Sequence, residues 1–208
     1  KMNTQRHSNL PYHIVAFLTV VVWGTTFVST KVLMLNGLSP ALIFTLRFGI
    51  AYVLMLAFNH SCLFARSWKD EAKMVLLGIT GGSLYFMGEN EAMNYTTTTN
   101  TSLIVCSCPL FTTLMMRVFY RHSTRINALQ MFGSLLAFAG IVVVVLNGRF
   151  VLHVSPVGDA LAFLACISWV AYSLLMKSVL GNYSAAFITR KVFFYGVLTI
   201  LPYYLYDS

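Results

Sequence analysis

Five ionisable side chains lie within, or close to the ends of, long apolar stretches of the sequence. They are Lys31, Arg47, Glu89, Glu91 and Asp159. A charge at the centre of a bilayer costs about 3 kcal/mol on insertion scales, so such side chains usually face a protein interior or a water-filled cavity. A buried carboxylate in that setting can bind and release a proton. The chemistry that these residues indicate is therefore ion pairing, proton exchange, or both.

Glu89 and Glu91 cannot serve the same cavity, because on a helix two side chains two residues apart diverge by roughly 200°. Glu89 follows the small residues at 81–83, so we predict that it faces the protein interior and that Glu91 is interfacial. Both are candidate proton-coupling groups. We expect one of them to approach Lys31 or Arg47, which lie at a similar depth. A static ion pair that only specifies helix packing is the alternative.

Other chemistry has little support in the sequence. The five histidines lie in tails, loops and the ends of apolar runs, and no catalytic motif is present. Cys106 and Cys108 point to nearly opposite sides of a helix, and no histidine cluster joins them. We therefore expect no catalytic residue, no bound metal and no cofactor. A membrane-embedded enzyme or a scaffold stays as the alternative class.

The elements that position these charges are long apolar helices. Hydrophobic residues make up 58% of the 208 residues and charged residues only 10%, far below the roughly 25% of a soluble domain. A helix needs about 20 apolar residues to cross a bilayer, and seven runs approach that length. They cover 12–35, 40–58, 73–94, 99–119, 126–147, 156–177 and 185–206. The prediction is an all-α polytopic bundle of transmembrane helices.

Residues that start and end helices separate the runs. Ser39-Pro40 and Ser155-Pro156 place a cap before a proline, and Asn36-Gly37 and Asn147-Gly148 follow apolar runs. Pro109 falls inside the fourth run, where it must remove a backbone hydrogen bond. That break either lines a cavity or is absorbed by packing between helices.

The basic residues that give the net charge of +8 cluster between the apolar runs, a pattern that does not indicate nucleic-acid binding. Basic residues occupy the N-terminus and the second, fourth and sixth connections. They are Lys1, Arg6, Arg66, Lys69, Lys73, Arg117, Arg121, Arg125, Lys177, Arg190 and Lys191. By the positive-inside rule, these connections and the N-terminus are cytoplasmic.

Two segments of the chain repeat a pattern. Trp23 precedes Lys31 by eight residues, and Trp169 precedes Lys177 by the same interval. A short polar turn and a further apolar run with a basic residue follow in both cases. Because five spans separate the two units, they would run in opposite directions, as in the inverted repeats of secondary transporters.

The order of these landmarks resembles the EamA-type transporters of the drug/metabolite transporter superfamily over nearly the whole chain. The matching landmarks are Trp23-Gly24 through Lys31, Ser39-Pro40 with Arg47, Tyr95-Thr96, Cys108-Pro109-Leu110-Phe111, Gly140-Ile141-Val142, and Gly158-Asp159 leading to Trp169 and Tyr172. One departure is that many relatives carry Gly-Glu after the fourth span, where this chain has Arg121-His122. No role of that glutamate is carried over.

The resemblance implies ten helices in two inverted five-helix repeats. The first repeat would be 12–147, and 156–208 would be the start of a truncated second repeat. It implies a secondary transporter of a bacterial inner membrane that exports a small metabolite or drug by alternating access. The expected partners are a small-molecule substrate and the lipid bilayer. A homodimer is compatible with the sequence, which does not fix the oligomeric state.

Substrate-binding candidates follow by position in the two repeats. Trp23 and Thr26 are one turn apart on one helix face, as are Trp169 and Tyr172. Aromatic rings could pack an organic substrate, which Thr26 or Asn90 could hydrogen-bond. The full set is Trp23, Thr26, Lys31, Arg47, Glu89, Asn90, Trp169 and Tyr172. The alternative for the aromatic residues is an interfacial belt or helix packing.

Overall fold

The computed structural model describes residues 10–59, 62–120, 128–146 and 155–207. Within these ranges the side chains at 23, 27, 28, 144–146, 206 and 207 are not described. The chain divides into two compact units, Lys1–Ser39 and Pro40–Ser208. The helices are α1 (Leu10–Leu35), α2 (Pro40–Phe58), α3 (Trp68–Gly78), a π-helical turn (Ile79–Ser83), α4 (Leu84–Tyr95), α5 (Thr98–Cys106), α6 (Cys108–Phe119), α7 (Ala128–Leu146), α8 (Pro156–Val179) and α9 (Ala185–Asp207).

The described residues confirm an all-helical fold with several membrane-spanning helices. Five helical segments are long and apolar enough to cross a membrane. They are Leu10–Leu35, Pro40–Phe58, Thr98–Phe119, Pro156–Val179 and Ala185–Leu205. The segment from α3 to α4, and α7, bring the described helical segments to the seven that the apolar runs predict.

The first unit consists of α1, whose 26 residues would extend for about 39 Å. Its end matches the predicted signal, because the Asn36 backbone N–H bonds back to the Val32 and Leu33 carbonyls. Gly37 then adopts a φ of +89°, a conformation that costs glycine little. Asn147-Gly148, predicted to end the fifth run, lies outside the described residues.

In the second unit, α8 packs along α4 and against α5 and α6, while α9 packs along α2 and α3. Small residues let these helices approach closely. A Cβ on Gly88 would lie 3.3 Å from the Ala165 Cβ, and one on Gly82 would lie 3.1 Å from the Gly196 Cα. Ser155 caps α8 as predicted, since its hydroxyl accepts from the Gly158 backbone N–H at 3.3 Å.

The helix that carries the third span begins before its apolar run, at Trp68 instead of residue 73. The Ser67 side chain caps α3 by accepting from the Lys69 backbone N–H at 3.2 Å. Asp70 and Glu71 in the first turn favour a helix start, because their negative charges are attracted to the positive end of the helix dipole. The second connection therefore shortens to residues 59–67.

Two spans of this unit are broken. A π-helical turn at Ile79–Ser83 interrupts the third, and the fourth is interrupted at Ser107. Pro109 lies in the first turn of α6. A proline there costs no hydrogen bond, because backbone N–H groups of the first turn have no partner within their helix. The predicted break at Pro109 is thus a helix end followed by a new helix start.

Candidate functional site

The π-helical turn offers a backbone carbonyl to α8 and a side-chain hydroxyl to α9. The Ser168 hydroxyl of α8 donates to the Thr80 carbonyl at 2.7 Å. The Ser83 and Thr199 hydroxyls lie 2.8 Å apart, which joins the same turn to α9. A buried carbonyl left without a donor costs free energy, so these hydroxyls stabilise the turn at membrane depth.

An aromatic cluster lies beside this turn. A Cβ on Gly81 would fall 2.2 Å from the Tyr172 ring, so the ring packs directly on the turn. Ring centroids of Tyr172 and Trp169 are 5.2 Å apart, and those of Trp169 and Tyr85 are 5.0 Å apart. Trp169 and Tyr172 therefore contact each other, as expected for residues one turn apart on α8.

Glu89 extends this cluster with a carboxylate. Only 4% of the residue is exposed, and its Oε1 accepts a hydrogen bond from the Tyr85 hydroxyl at 3.2 Å. Arg47 lies on α2, in the same unit as Glu89. The described residues thus contain a line of neighbouring groups that runs from Glu89 through Tyr85 and Trp169 to Tyr172. The sequence analysis named all of them except Tyr85.

Glu91 has different surroundings, in agreement with the predicted divergence of the two carboxylates. It is half-buried, and its oxygens accept from the Asn94 amide at 3.1 Å and the Tyr203 hydroxyl at 3.0 Å. It lines an open, mainly apolar groove of about 490 Å³ between α4, α8 and α9. Ser83 and Thr199 line the other part of the same groove.

The other predicted site residues have separate positions. Asn90 is 5% exposed on α4, next to Glu89. Asp159 lies in the first turn of α8, where its carboxylate accepts from the Ser155 backbone N–H at 3.2 Å. Thr26 and Lys31 are half-buried on α1, in the first unit. The Trp23 side chain lies outside the described residues.

Sequence reasoning missed a second polar cluster, at the end of the unit that carries the α2–α3 connection. Arg190 and Lys191, which the sequence analysis counted as flanking the sixth connection, are 1% and 4% exposed. Lys191 pairs with the buried Glu71, which also accepts from the Tyr195 hydroxyl. An acidic residue next to the basic second connection was the available signal. No group of three or more metal-ligating side chains is found within the described ranges.

Comparison with known proteins identifies a family for this chain. The model of the EamA-like transporter family matches residues 10–146. An uncharacterized transporter of Archaeoglobus fulgidus is 30% identical over 91% of this chain and 66% of its own length. The "probable amino-acid metabolite efflux pump" of Escherichia coli is 26% identical over 92% of this chain and 62% of its own length. The protein of that name in Salmonella typhimurium is 28% identical over 91% and 61%.

The chain therefore spans about two thirds of the length of the curated relatives that it matches. No solved structure is significantly similar to it. The matched region contains both broken spans and Glu89, and the relatives named above are all described as transporters or efflux pumps. The chain is a multi-pass membrane protein and belongs to the EamA-like transporter family of the drug/metabolite transporter superfamily.

Proposed function

We propose that the protein is a secondary transporter that exports a small organic metabolite by alternating access. The observation that carries this proposal is the line of groups from Glu89 through Tyr85 and Trp169 to Tyr172 beside a broken helix. It combines one buried carboxylate with three aromatic rings that are tilted against one another. Such a surface can hold an organic solute while the carboxylate exchanges a proton.

The broken spans support the same proposal. Transporter sites near the middle of the bilayer are commonly formed by interrupted helices, whose irregular backbone is tolerated where it is buried or lines a cavity. Here the π-helical turn and the break at Ser107 both lie against α8, the helix that carries Trp169 and Tyr172. Irregular backbone and candidate binding groups are therefore neighbours.

The substrate class that we propose is amino acids and related metabolites. The Escherichia coli and Salmonella typhimurium relatives are named as amino-acid metabolite efflux pumps. Glu89 and Arg47 offer opposite charges, which suits a zwitterion, and the rings of Trp169 and Tyr172 suit its apolar part. Asn90 completes the proposed substrate site of the second unit, and Trp23, Thr26 and Lys31 stay substrate-binding candidates of the first unit, taken by itself.

We further propose the topology that the basic residues predict. The N-terminus and the α2–α3 connection would be cytoplasmic, in a bacterial inner membrane. Residues 12–147 would form one five-helix repeat and 156–208 the start of an inverted second repeat of a ten-helix protein. Support comes from the paired Trp–Lys intervals and from the length of the relatives.

Transport by the full-length protein in proteoliposomes tests this function. Efflux and counterflow of radiolabelled amino acids are measured with and without a pH gradient. We expect Glu89→Gln to abolish acceleration by the gradient while counterflow continues, because an amide cannot exchange a proton. Glu91→Gln is the matched control and should retain both activities. Full pH-dependent transport by Glu89→Gln would remove the proton role, and no movement across a broad panel would remove the transporter proposal.

A further inference from the structure

Glu71 joins three parts of the second unit at the end that carries the α2–α3 connection. It lies in α3 and is 6% exposed. Its Oε1 accepts from the Lys191 ammonium and the Tyr195 hydroxyl of α9. Its Oε2 accepts from the Ala65 backbone N–H of the connection at 2.6 Å. One carboxylate therefore holds α3, α9 and the connection together.

Arg190, the neighbour of Lys191, closes the connection from the other side. The residue is 1% exposed, and its guanidinium donates to the Asn59 and Cys62 carbonyls. These carbonyls lie at the start of the connection, whereas Ala65 lies near its end. The first part of the connection is thus bound directly by Arg190 of α9, and its last part is bound to Glu71, the partner of Lys191.

Aromatic rings exclude water from the Lys191 ammonium. Its Nζ lies 4.8 Å from the centroid of Phe64, 5.3 Å from that of Tyr195 and 5.8 Å from that of Phe187. Removing two charges from water is expensive, and a well-packed apolar pair is often as stable as a buried ion pair. Stability alone therefore does not account for the charged cluster.

An ion pair does suit a contact that must open and close. When the two groups separate into water, both charges regain hydration, which offsets much of the lost attraction. An apolar seal of the same area would expose its surface to water on opening and gain no such compensation. The closed and open states can then differ by only a few kcal/mol, as a switching element requires.

The cluster is also in contact with the π-helical turn. Lys191, Tyr195 and Thr199 recur every four residues along one face of α9, over about 12 Å. Tyr195 packs against Gly78, the last residue before the turn, and Thr199 contacts Ser83 within it. A displacement of α9 that breaks the Glu71 contacts would therefore move groups that bind the turn.

We propose that Glu71, Lys191, Tyr195 and Arg190 form a gate that closes the α2–α3 end of the protein and opens during the transport cycle. This inference rests on the proposed transport function and adds the residues that control access to its site. Loss of the Glu71–Lys191 pair shifts the protein toward the state that is open at this end.

Cysteine accessibility in the full-length protein tests the gate without any substrate. Ser168→Cys places a reporter at the π-helical turn, in a background with the four native cysteines replaced by alanine. The rate of labelling by a membrane-impermeant maleimide is measured in vesicles of both orientations. We expect Lys191→Met to raise that rate about tenfold from the α2–α3 side only, which corresponds to a shift of about 1.4 kcal/mol.

Lys73→Met is the matched control, because Lys73 also pairs with a carboxylate of α3 but its side chain is 38% exposed. Its labelling rate should equal that of the parent. The charge-reversed double variant Glu71→Lys with Lys191→Glu should return the rate toward the parent value. Tyr195→Phe, which removes one hydroxyl only, should give a smaller increase and provides a reading if the charge variants fail to fold.

Equal labelling of Lys191→Met, Tyr195→Phe and Lys73→Met variants would overturn the gate and make the cluster a static packing element. Because labelling requires no solute, that failure is distinct from a failure of transport. If the parent protein moves amino acids but neither Lys191→Met nor Tyr195→Phe changes the labelling rate, only the gate is refuted. If Lys191→Met raises the labelling rate but no solute moves, the proposed function is refuted and control of access at this end stands.

Discussion

The Tyr85 hydroxyl donates a hydrogen bond to the Glu89 carboxylate at 3.2 Å, one helical turn away on α4. Both residues are buried, at 6% and 4% exposure, so the bond forms away from bulk water. The same Tyr85 ring contacts Trp169 of α8. The hydroxyl therefore fixes a carboxylate relative to an aromatic surface that another helix provides.

Removal of this hydroxyl should destabilise the protein through the unsatisfied carboxylate. We expect Tyr85→Phe to lower the free energy of unfolding by about 1–3 kcal/mol, the cost of leaving a buried polar group without its partner. A double-mutant cycle of Tyr85→Phe and Glu89→Gln, measured by denaturant unfolding in detergent, should give a coupling of at least about 0.5 kcal/mol. Strictly additive effects would show that the two side chains act independently.

Trp169 should report substrate binding by fluorescence. The protein has three tryptophans, and Trp68 is 88% exposed at the start of α3, away from the aromatic cluster. We expect Trp169→Phe to abolish the change in emission that a transported amino acid produces, whereas Trp68→Phe should retain it. Substrate affinity should fall further with Trp169→Ala than with Trp169→Phe, because ring contacts contribute about 0.5–1.5 kcal/mol.

A signal change that survives in Trp169→Phe but disappears in a Trp23→Phe variant would contradict the proposed location beside Trp169. A change that depends on Trp68 would contradict that location as well. The measurement is a fluorescence titration in detergent, with a solute that the transport panel rejects as the negative control.

Much of the fold was predictable because the spans are long, mainly apolar runs between short polar connections. Hydrophobicity alone located the first residues of α2, α8 and α9, and their last residues to within two positions. The same method placed the start of α3 too late, because the first turn of that helix is polar. Ser67 followed by Asp70 was the signal of a capped helix start.

The candidate site was predictable in part. Their spacing predicted that Glu89 and Glu91 have different environments, as they do. Spacing also predicted that Trp169 and Tyr172 share one helix face, where they are in contact. The π-helical turn depends on packing between helices, and the consecutive glycines at 81 and 82 were its only local signal. The burial of Arg190 and Lys191 was not predicted, because composition alone does not distinguish a solvated basic flank from a buried pair.

Close helix packing at Gly78 gives a sharp stability test. A Cβ there would lie 2.4 Å from the Tyr195 Cβ and 3.0 Å from the Gly196 backbone nitrogen, so the backbones of α3 and α9 would have to separate. We expect Gly78→Ala to lower the free energy of unfolding by about 1–3 kcal/mol, the usual cost of overpacking. Thermal unfolding in detergent measures the change.

Gly133→Ala is the matched control for that substitution. Nothing lies within 4 Å of a Cβ at Gly133 in α7, so the added methyl group meets no obstacle among the described residues. Alanine also favours a helix interior over glycine by about 0.5–1 kcal/mol. Gly133→Ala should therefore be neutral or stabilising. Equal destabilisation of both variants would show that α3 and α9 do not pack closely at Gly78.

Asp70 predicts an acid dependence of stability. It lies in the first turn of α3, before the apolar run begins. The Tyr183 hydroxyl, which donates at 2.9 Å, and the Lys73 ammonium at 3.2 Å hold the pKa of Asp70 below its ordinary value of 3.8. A depressed pKa in the folded state means that the ionised form stabilises the fold above the unfolded pKa.

That stabilisation should be complete above about pH 5 and should be lost as the pH falls through the folded pKa. We expect the melting temperature of the parent protein in detergent to decrease between about pH 5 and pH 3 more steeply than that of Asp70→Asn, whose amide does not titrate. Tyr183→Phe should reduce the same difference, because its hydroxyl is the principal donor. Parallel melting curves for the parent and Asp70→Asn across this range would contradict a linkage between Asp70 ionisation and the contact of α3 with Tyr183.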